Sequence, residues 1–174
     1  ENKILILGAN GQVGTQLQNT LAPIGTIKSC TRQEADLENP EQLKKLIQDY
    51  NPQIIVNAAA YTEVDQAESE PEKAYRINSE AVAIIAQESK NINALLVHYS
   101  TDYIFDGMQT EPYTENNQPN PQSIYGKSKW KGEQSIIDSG TEYLIFRTSW
   151  VYALIGKNFL NSILKIAKER KELN

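Results

Sequence analysis

The sequence predicts a doubly wound α/β fold, in which helices cover both faces of one parallel sheet. Short apolar runs without polar alternation recur along the chain, and such runs are typical of parallel strands buried on both faces. Amphipathic helical patterns separate these runs, and this alternation indicates successive βαβ units. With 174 residues, of which 40% are hydrophobic, the chain has the size of one domain spanning residues 1–174.

The first half of the chain contains three predicted strands, at 4–7, 24–30 and 54–56. The helix after the first strand has an apolar face that consists of Val13, Leu17 and Leu21. The helix after the second strand is predicted to begin at an asparagine N-cap, Asn39, that a proline follows. Its inner face carries Leu43, Leu46 and Ile47.

The second half continues the same alternation with one interruption. Ser69 and Glu72 have the spacing of a capping box before a long helix, whose inner face carries Ala74, Ile77, Ala81, Ile84 and Ile85. A strand at 95–97, a helix at 125–137, a strand at 143–146 and a helix at 158–169 follow. In the last helix the residues predicted to face inward are Phe159, Ile163 and Ile166. Between 101 and 123 the periodicity is lost, and a long irregular segment of this kind is usually functional.

Composition and charge argue against several classes of protein. The chain has 17 basic and 22 acidic side chains and a net charge of −5, so it lacks the basic excess that nucleic-acid binding uses. Its longest apolar run, 81–86, is too short to span a membrane. Because no signal peptide opens the chain and its one cysteine cannot form an intrachain disulfide, a cytoplasmic location is expected. The last helical pattern reaches residue 174 without a stop signal, so we expect the natural protein to continue.

A glycine-rich turn follows the first predicted strand. Its glycines, Gly8, Gly11 and Gly14, have the spacing G-x-x-G-x-x-G between a strand and a helix. Glycines allow positive φ angles and a close approach of the backbone to a pyrophosphate, whose charge the N-terminus of the following helix attracts. The turn therefore predicts a Rossmann-type dinucleotide-binding domain. The other residues of the turn that we expect to bind the cofactor are Asn10, Gln12 and Val13.

The residues after the second strand favour NADP(H) over NAD(H). Folds that prefer NAD carry an acidic residue here, which accepts a hydrogen bond from the ribose 2′-hydroxyl, whereas this chain reads SCTR at 29–32. An arginine suits a 2′-phosphate better, although a solvated surface position explains Arg32 about equally well. Asp36 and Leu37 are placed to bracket the adenine. The residues after the third strand are small enough for a cofactor to lie against them: Ala58, Ala59, Ala60 and Thr62.

Tyr125 and Lys129 are four residues apart near the start of a predicted helix, so their side chains share one face. This spacing alone is a weak signal, but the pair follows both the dinucleotide turn and the irregular segment. An unperturbed phenol has a pKa of about 10. An ammonium group about 4 Å away contributes up to ~4 kcal/mol at an effective dielectric constant of about 20. We therefore expect Lys129 to lower the pKa of Tyr125 into the working range of a general acid.

Five segments carry a resemblance to a known family, and they read GANGQVG at 8–14, NAAA at 57–60, STDYIF at 100–105, YGKSK at 125–129 and RTSWVY at 147–152. Together they closely resemble the dTDP-4-dehydrorhamnose reductases, a family of extended short-chain dehydrogenase/reductases, over essentially the whole chain. The resemblance implies reduction of the C4 ketone of dTDP-4-dehydrorhamnose, a dTDP-linked 6-deoxyhexose. NADPH would be the reductant, with NADH as an alternative.

The resemblance also implies roles for individual residues. Tyr125 would be the general acid, Lys129 would hold the nicotinamide ribose and lower the phenol pKa, and Thr101 would hydrogen-bond the substrate carbonyl. The side chains lining the sugar pocket would be Asp102, Tyr103 and Trp150. A smaller C-terminal lobe, which in this family contributes much of the nucleotide-sugar site, would lie beyond residue 174. A homodimer of the full-length protein is compatible with the family.

Other functions stay open from the sequence alone. Related dehydratases follow the threonine with Asp-Glu, whereas Thr101 is followed by Asp102 and Tyr103, which favours reduction. The family also resembles the non-catalytic regulatory subunit of methionine adenosyltransferase, which keeps the tyrosine–lysine pair. Another nucleotide-sugar reductase or epimerase is a further alternative.

Three remaining features are interpreted more plainly. Some relatives are metal-bridged dimers that use a carboxylate of the first helix, but Gln16 and Gln18 stand there, so no metal site is predicted. His98, the one histidine of the chain, ends a buried strand and is interpreted as a packed core residue rather than a catalyst. Cys30 is interpreted as a small buried hydrophobe near the adenosine end of the cofactor.

Overall fold

A computed structural model describes residues 2–153 and 158–169. Within these residues, five parallel strands form one sheet: β1 (Asn2–Leu7), β2 (Gly25–Cys30), β3 (Ile54–Asn57), β4 (Leu95–Thr101) and β5 (Tyr143–Thr148). Their order in the sheet is β2-β1-β3-β4-β5. The predicted doubly wound parallel sheet is therefore confirmed. Strand order reverses direction between β1 and β3, and ligands of such folds bind in the crevice at that point, beyond the carboxyl ends of the strands.

The strand register brings the candidate segments to one edge of the sheet. Leu7 of β1 lies opposite Cys30 of β2 and Asn57 of β3, and Asn57 in turn lies opposite His98 of β4. The glycine turn and the segments after β2, β3 and β4 consequently leave the sheet side by side. Residues far apart in the sequence can therefore line one cleft.

The helices pack on both faces of the sheet. They are α1 (Gln12–Leu21), α2 (Pro40–Tyr50), α3 (Val64–Ala67), α4 (Pro71–Tyr75), α5 (Ala81–Asn91), α6 (Ile124–Ser139) and α7 (Phe159–Glu169). Leu5, Leu7 and Ile55 belong to a large core with residues of α2, α5 and α6, whereas Ile4 and Ile6 pack toward Leu17 of α1 on the other face. Every side chain of β1 from Ile4 to Leu7 is fully buried, as the lack of polar alternation predicted.

Several element boundaries differ from the prediction. The second strand begins at Gly25, because Pro23 lies in a 3-10 turn over Ala22–Ile24. Ser69 does not cap a helix: its hydroxyl donates to the carbonyl of Gln66, and α4 begins at Pro71 instead. The predicted long helix is continuous only through a π-helical turn, Arg76–Glu80, that joins α4 to α5.

Helix α7 departs furthest from the prediction. Its apolar stripe was expected to face inward, yet none of its residues is buried, and Phe159 and Ile166 are exposed. Helical periodicity gives the direction of an apolar face, whereas burial depends on a partner that periodicity does not specify. None of the helices within residues 2–153 and 158–169 is long and apolar enough to cross a membrane.

Candidate active site

The glycine turn lies at the carboxyl end of β1, where the backbone of the segment that follows β3 passes very close. Gly8 has a φ of +79°, and a Cβ atom there would approach the Ala59 nitrogen to 2.8 Å. A Cβ at Gly14 would collide with the Gly8 carbonyl oxygen. The turn is held in place because the N–H groups of Gly8 and Ala9 both donate to the carbonyl of Cys30, each at 3.0 Å. The glycines are thus required by backbone conformation and close packing.

These features fit a dinucleotide pyrophosphate. The N-cap of α1 is Gly11, which has no side chain to accept from the first N–H groups of the helix. An anion can take that place and gains from the helix dipole. Gly8, Asn10, Gly11, Gln12 and Val13 line a cleft of about 540 Å³ that runs along this edge of the sheet, whereas Gly14 packs behind the turn and does not line it.

The segment after β3 forms the opposite wall of the cleft. Its lining residues are those that the sequence predicted, Ala58, Ala59, Ala60 and Thr62. Asn57, fully buried at the end of β3, accepts from the Ala59 N–H at 3.2 Å and so fixes the path of this wall. The small side chains of this wall leave room in the cleft, and that a cofactor lies against them stays a prediction.

The end of the cleft that we expect to hold the adenosine carries a carboxylate beyond the predicted residues. Arg32, Asp36 and Leu37 all line the cleft. The Arg32 guanidinium, however, pairs with Glu38 at 2.5 Å and approaches Asp36 to 3.4 Å, while its side chain is 65% exposed. Exposed ion pairs of this kind are weak, so Arg32 can exchange these carboxylates for a phosphate. Glu38 is a residue of this end that sequence reasoning missed.

Helix α6 places the tyrosine and lysine at the far end of the same cleft. Its N-cap, Ser123, accepts from the Gly126 N–H at 3.0 Å. Gly126 allows the helix to approach the turn after β4, because a Cβ there would collide with the carbonyl of Tyr103. Tyr125 and Lys129 both line the cleft, with 9% and 2% of their surface exposed.

The expected acidification of Tyr125 is not what the structure shows. Burial raises the pKa of the phenol, the hydrogen bond with Thr101 lowers it, and the charge of Asp102 adds to the rise. Lys129 contributes no lowering, because its amine donates to the carbonyl of Tyr99 at 2.6 Å and lies 3.5 Å from His98. The prediction that Lys129 brings the phenol pKa down is therefore wrong for this structure, and the phenol is protonated at neutral pH.

The pKa of Lys129 is shifted further from its usual value than that of Tyr125. Burial lowers its pKa to about 8, and the negative charge of Glu133 partly opposes this drop. Glu133 is fully buried and forms an ion pair with Arg147 of β5 at 2.7 Å. It also accepts a hydrogen bond from the Ser100 hydroxyl. Glu133 follows Lys129 by four residues, as Lys129 follows Tyr125, and this continued spacing is the signal by which the sequence could have revealed it.

The residues predicted for the sugar pocket lie in the same cleft as Tyr125. Thr101, Asp102, Tyr103 and Trp150 all line the cleft. The Thr101 hydroxyl donates to Asp102 at 3.2 Å, and the ring of Tyr103 meets that of Tyr125 edge to face at 5.6 Å. Trp150 has a φ of +50° and is 72% exposed, so a bulky side chain is held at the rim in a rarely adopted backbone conformation.

One further residue, Ser149, lines this end of the cleft. The Ser149 hydroxyl donates to Asp102 at 2.7 Å, which fixes a carboxylate that was placed in the site only by resemblance.

Within residues 2–153 and 158–169, no three His, Cys, Asp or Glu side chains are grouped closely enough to hold a metal ion. The lack of a metal site remains a prediction.

A family with this arrangement is known. The sequence model of the RmlD substrate binding domain matches residues 2–174. The chain belongs to the RmlD substrate binding domain family. It is 48% identical over 171 residues to the dTDP-4-dehydrorhamnose reductase of Burkholderia thailandensis, covering 98% of the chain and 57% of that protein. It is 45% identical over 174 residues to the enzyme of the same name from Escherichia coli K12, covering 98% of the chain and 58% of that protein.

Solved structures agree with the assignment to the RmlD family. The crystal structure of dTDP-4-dehydrorhamnose reductase from Bacillus anthracis in complex with NADP superposes with a TM-score of 0.94 at 42% identity. The match covers 98% of this chain and 61% of that one. The chain thus spans about three fifths of the length of these relatives, and the predicted Rossmann-type fold is confirmed.

Proposed function

We propose that the protein containing this chain reduces the C4 ketone of dTDP-4-dehydrorhamnose with NADPH. The observation that carries the proposal is the meeting of Tyr125, Lys129 and Thr101 in one cleft with a glycine turn suited to a pyrophosphate. The names of the relatives from Burkholderia thailandensis and Escherichia coli, and the NADP complex of the Bacillus anthracis protein, support the substrate and the cofactor.

The chain's own residues supply the proton for this reaction. NADPH, when bound, supplies the hydride for the carbonyl carbon. Negative charge then develops on the C4 oxygen, and the hydroxyls of Thr101 and Tyr125 stabilise it. An alkoxide is far more basic than a phenolate, so Tyr125 donates its proton to the oxygen even with a raised pKa. Lys129 holds the nicotinamide ribose through its amine.

The test is transfer of deuterium in the full-length protein. With NADPH that carries deuterium at both C4 positions of the dihydronicotinamide, we expect one deuterium at C4 of the product hexose for each NADPH oxidised. Elimination of water from a dTDP-hexose without net oxidation of NADPH would instead identify a dehydratase. An absence of turnover together with tight binding to methionine adenosyltransferase would identify a regulatory subunit.

Cofactor preference gives a second test at Arg32. We expect Arg32→Ala to raise the Kd of NADPH roughly tenfold, because a charge-assisted contact to the 2′-phosphate is lost, and to change that of NADH less than about twofold. Isothermal titration calorimetry with both dinucleotides measures the two effects. Arg76→Ala is the matched control, because Arg76 lies 3.6 Å from the same Glu38 carboxylate but does not line the cleft. Equal losses for NADPH and NADH would show that Arg32 does not bind the 2′-phosphate.

The setting of the reaction is part of the proposal. A soluble nucleotide sugar and a single cysteine, Cys30, which is buried and free, suit a cytoplasmic enzyme. The excess of acidic over basic side chains supports a protein that does not bind nucleic acid. Only the family resemblance supports a homodimer of the full-length protein.

A further inference from the structure

His98 is a buried residue that lies next to Lys129 of the candidate active site. It is fully buried in β4, as the sequence analysis expected of a packed histidine. Its two ring nitrogens, however, both face polar groups of the site: Nδ1 lies 3.2 Å from the side-chain nitrogen of Asn57, and Nε2 lies 3.5 Å from Nζ of Lys129. Parallel pairing of β3 with β4 sets the first contact, since Asn57 and His98 are partners in the register.

The hydrogen bonds around Asn57 determine which nitrogen of His98 carries the proton. The Ala59 N–H donates to Oδ1 of Asn57 at 3.2 Å, so the amide group of Asn57 turns its NH₂ toward the imidazole. Nδ1 of His98 must therefore accept, and the proton of the neutral ring resides on Nε2. Burial together with the charge of Lys129 holds the pKa of His98 well below its usual value, so the ring is neutral at pH 7.

This tautomer presents an N–H group to Lys129. A neutral amine can accept from that group through its lone pair, whereas an ammonium has only protons to offer. The contact thus favours the neutral form of Lys129. The carbonyl of Tyr99, at 2.6 Å from Nζ, and the carboxylate of Glu133 favour the charged form.

We propose that His98 is a positioning residue that, through its Nε2–H group, makes Lys129 able to exchange a proton near neutral pH. The inference rests on the proposed function, because it concerns the lysine that holds the nicotinamide ribose. The proposal also connects the segment after β3 to α6. Asn57 accepts from the Ala59 N–H in that segment, and the same side chain selects the tautomer of His98, which faces Lys129 of α6. Asn57 and His98 thus act on the reaction through Lys129 without touching the substrate.

Within residues 2–153 and 158–169, the other ionisable groups on α6 and on the elements packed against it have other partners or are exposed. On α6 they are Tyr125 and Glu133, the latter paired with Arg147 of β5, whereas Lys127, Lys131 and Asp138 are exposed. Tyr99 belongs to β4, and the turn after β4 adds Tyr103, whose ring contacts Tyr125, and Asp102, which accepts from Ser149. On the other elements packed on α6, Glu88 accepts from Gln48, Lys90 donates to the Gly140 carbonyl, and Lys73 and Arg76 form ion pairs with Glu70 and Glu38. Glu68 accepts from the N–H of Ile124 at the start of α6, and the remaining charged side chains of these elements are exposed. Substituting His98 is therefore the cleanest test of what sets the equilibrium between the charged and neutral forms of Lys129.

The experiment measures NADPH affinity as a function of pH in the full-length protein. An ammonium is the better donor to ribose hydroxyls, so wild-type binding should weaken above a pH of about 8 as Lys129 loses its proton. In both His98→Asn and His98→Phe the onset of weakening should move up by about 0.5 to 1 pH unit. Asn keeps an acceptor for Asn57, and Phe keeps the site dry, so the two variants share only the loss of Nε2–H.

The control is Leu96→Ala, which removes a fully buried side chain from the same strand without touching Lys129. It should lower stability and leave the onset of weakening unmoved. If the pH at which NADPH binding weakens moves in His98→Asn but not in His98→Phe, the effect is due to water entering the site and the proposal is overturned. No shift in either variant would overturn it as well.

Nitrogen-15 NMR of the imidazole tests the tautomer directly, even where a variant does not fold. In wild type we expect a proton on Nε2 and none on Nδ1, with no titration of the ring between about pH 6 and 9. A proton on Nδ1 would contradict the proposal. Because neither the NMR nor the binding measurement needs turnover, a protein that fails to transfer deuterium to the sugar would refute the proposed function and leave the His98 proposal to be judged separately.

Discussion

Tyr125→Phe in the full-length protein is expected to lower kcat by at least ~100-fold, because the proposed mechanism makes the phenol the proton donor to the developing C4 alkoxide. The Kd of NADPH should change little, since the phenylalanine ring keeps the edge-to-face contact with Tyr103. Steady-state oxidation of NADPH with dTDP-4-dehydrorhamnose measures the first quantity, and calorimetry measures the second.

The matched control is Tyr50→Phe, which removes another hydroxyl. Tyr50 ends α2, its hydroxyl donates to the carbonyl of Thr26 in β2, and neither residue lines the cleft. This variant should retain kcat within about twofold. A loss smaller than tenfold in Tyr125→Phe would show that another group delivers the proton and would remove Tyr125 from the mechanism.

Lys129→Met is expected to be inactive and yet more stable than wild type. At pH 7 the buried ammonium, with its pKa lowered to about 8, destabilises the fold. Removing it should raise the free energy of unfolding by roughly 1 to 3 kcal/mol, after the lost hydrogen bond to Tyr99 is set against it. The value of kcat/KM should fall at least ~100-fold, because the ribose contact and the positive charge are both lost. Urea unfolding and steady-state kinetics measure the two effects.

The size of this stabilisation depends on pH. The unfolded chain holds the lysine proton up to about pH 10.5, while the folded chain releases it near pH 8, so wild-type stability rises between these values. The advantage of Lys129→Met should accordingly be complete below pH 8 and shrink as the pH approaches 10.5. Lys45→Met, at an exposed ion pair with Asp49, should show neither the stabilisation nor the loss of activity. A Lys129→Met variant less stable than wild type at pH 7 would contradict this account of the buried charge.

The features that the sequence predicted well are those set by local constraints. The glycine turn could be placed because positive φ at Gly8 and close packing at Gly14 leave few other residue types possible. The shared face of Tyr125 and Lys129 followed from helix geometry alone. The buried strands were visible because a parallel sheet covered on both faces needs apolar residues at successive positions.

What the sequence could not give are contacts that join separate elements. The pairing of Arg32 with Glu38 depends on how the segment after β2 turns, and the same arginine without that turn looks free to meet a phosphate. The direction of the Lys129 amine depends on the Tyr99 carbonyl, which the spacing from Tyr125 does not reveal. For that reason the expected lowering of the phenol pKa was wrong although both residues were placed correctly.

The irregular segment after β4 shows the same limit. The position of the segment could be predicted because periodicity is lost there. The hydrogen bonds that hold it in a defined conformation could not be predicted. The carboxylate of Asp106 accepts from the Tyr113 hydroxyl at 2.5 Å and from the Asn120 side chain at 2.9 Å, and these bonds lower the pKa of Asp106 to about 2. A single side chain thus gathers residues 7 and 14 positions away into one loop beside the cleft.

A crystal structure of the full-length protein with NADPH tests the central claim most directly. We predict the pyrophosphate at the N-terminus of α1, the 2′-phosphate at Arg32, and the nicotinamide ring beside Tyr125 with its ribose on Lys129. A dinucleotide bound elsewhere, or a Tyr125 hydroxyl turned away from the nicotinamide, would contradict the assignment of this cleft as a reductase active site.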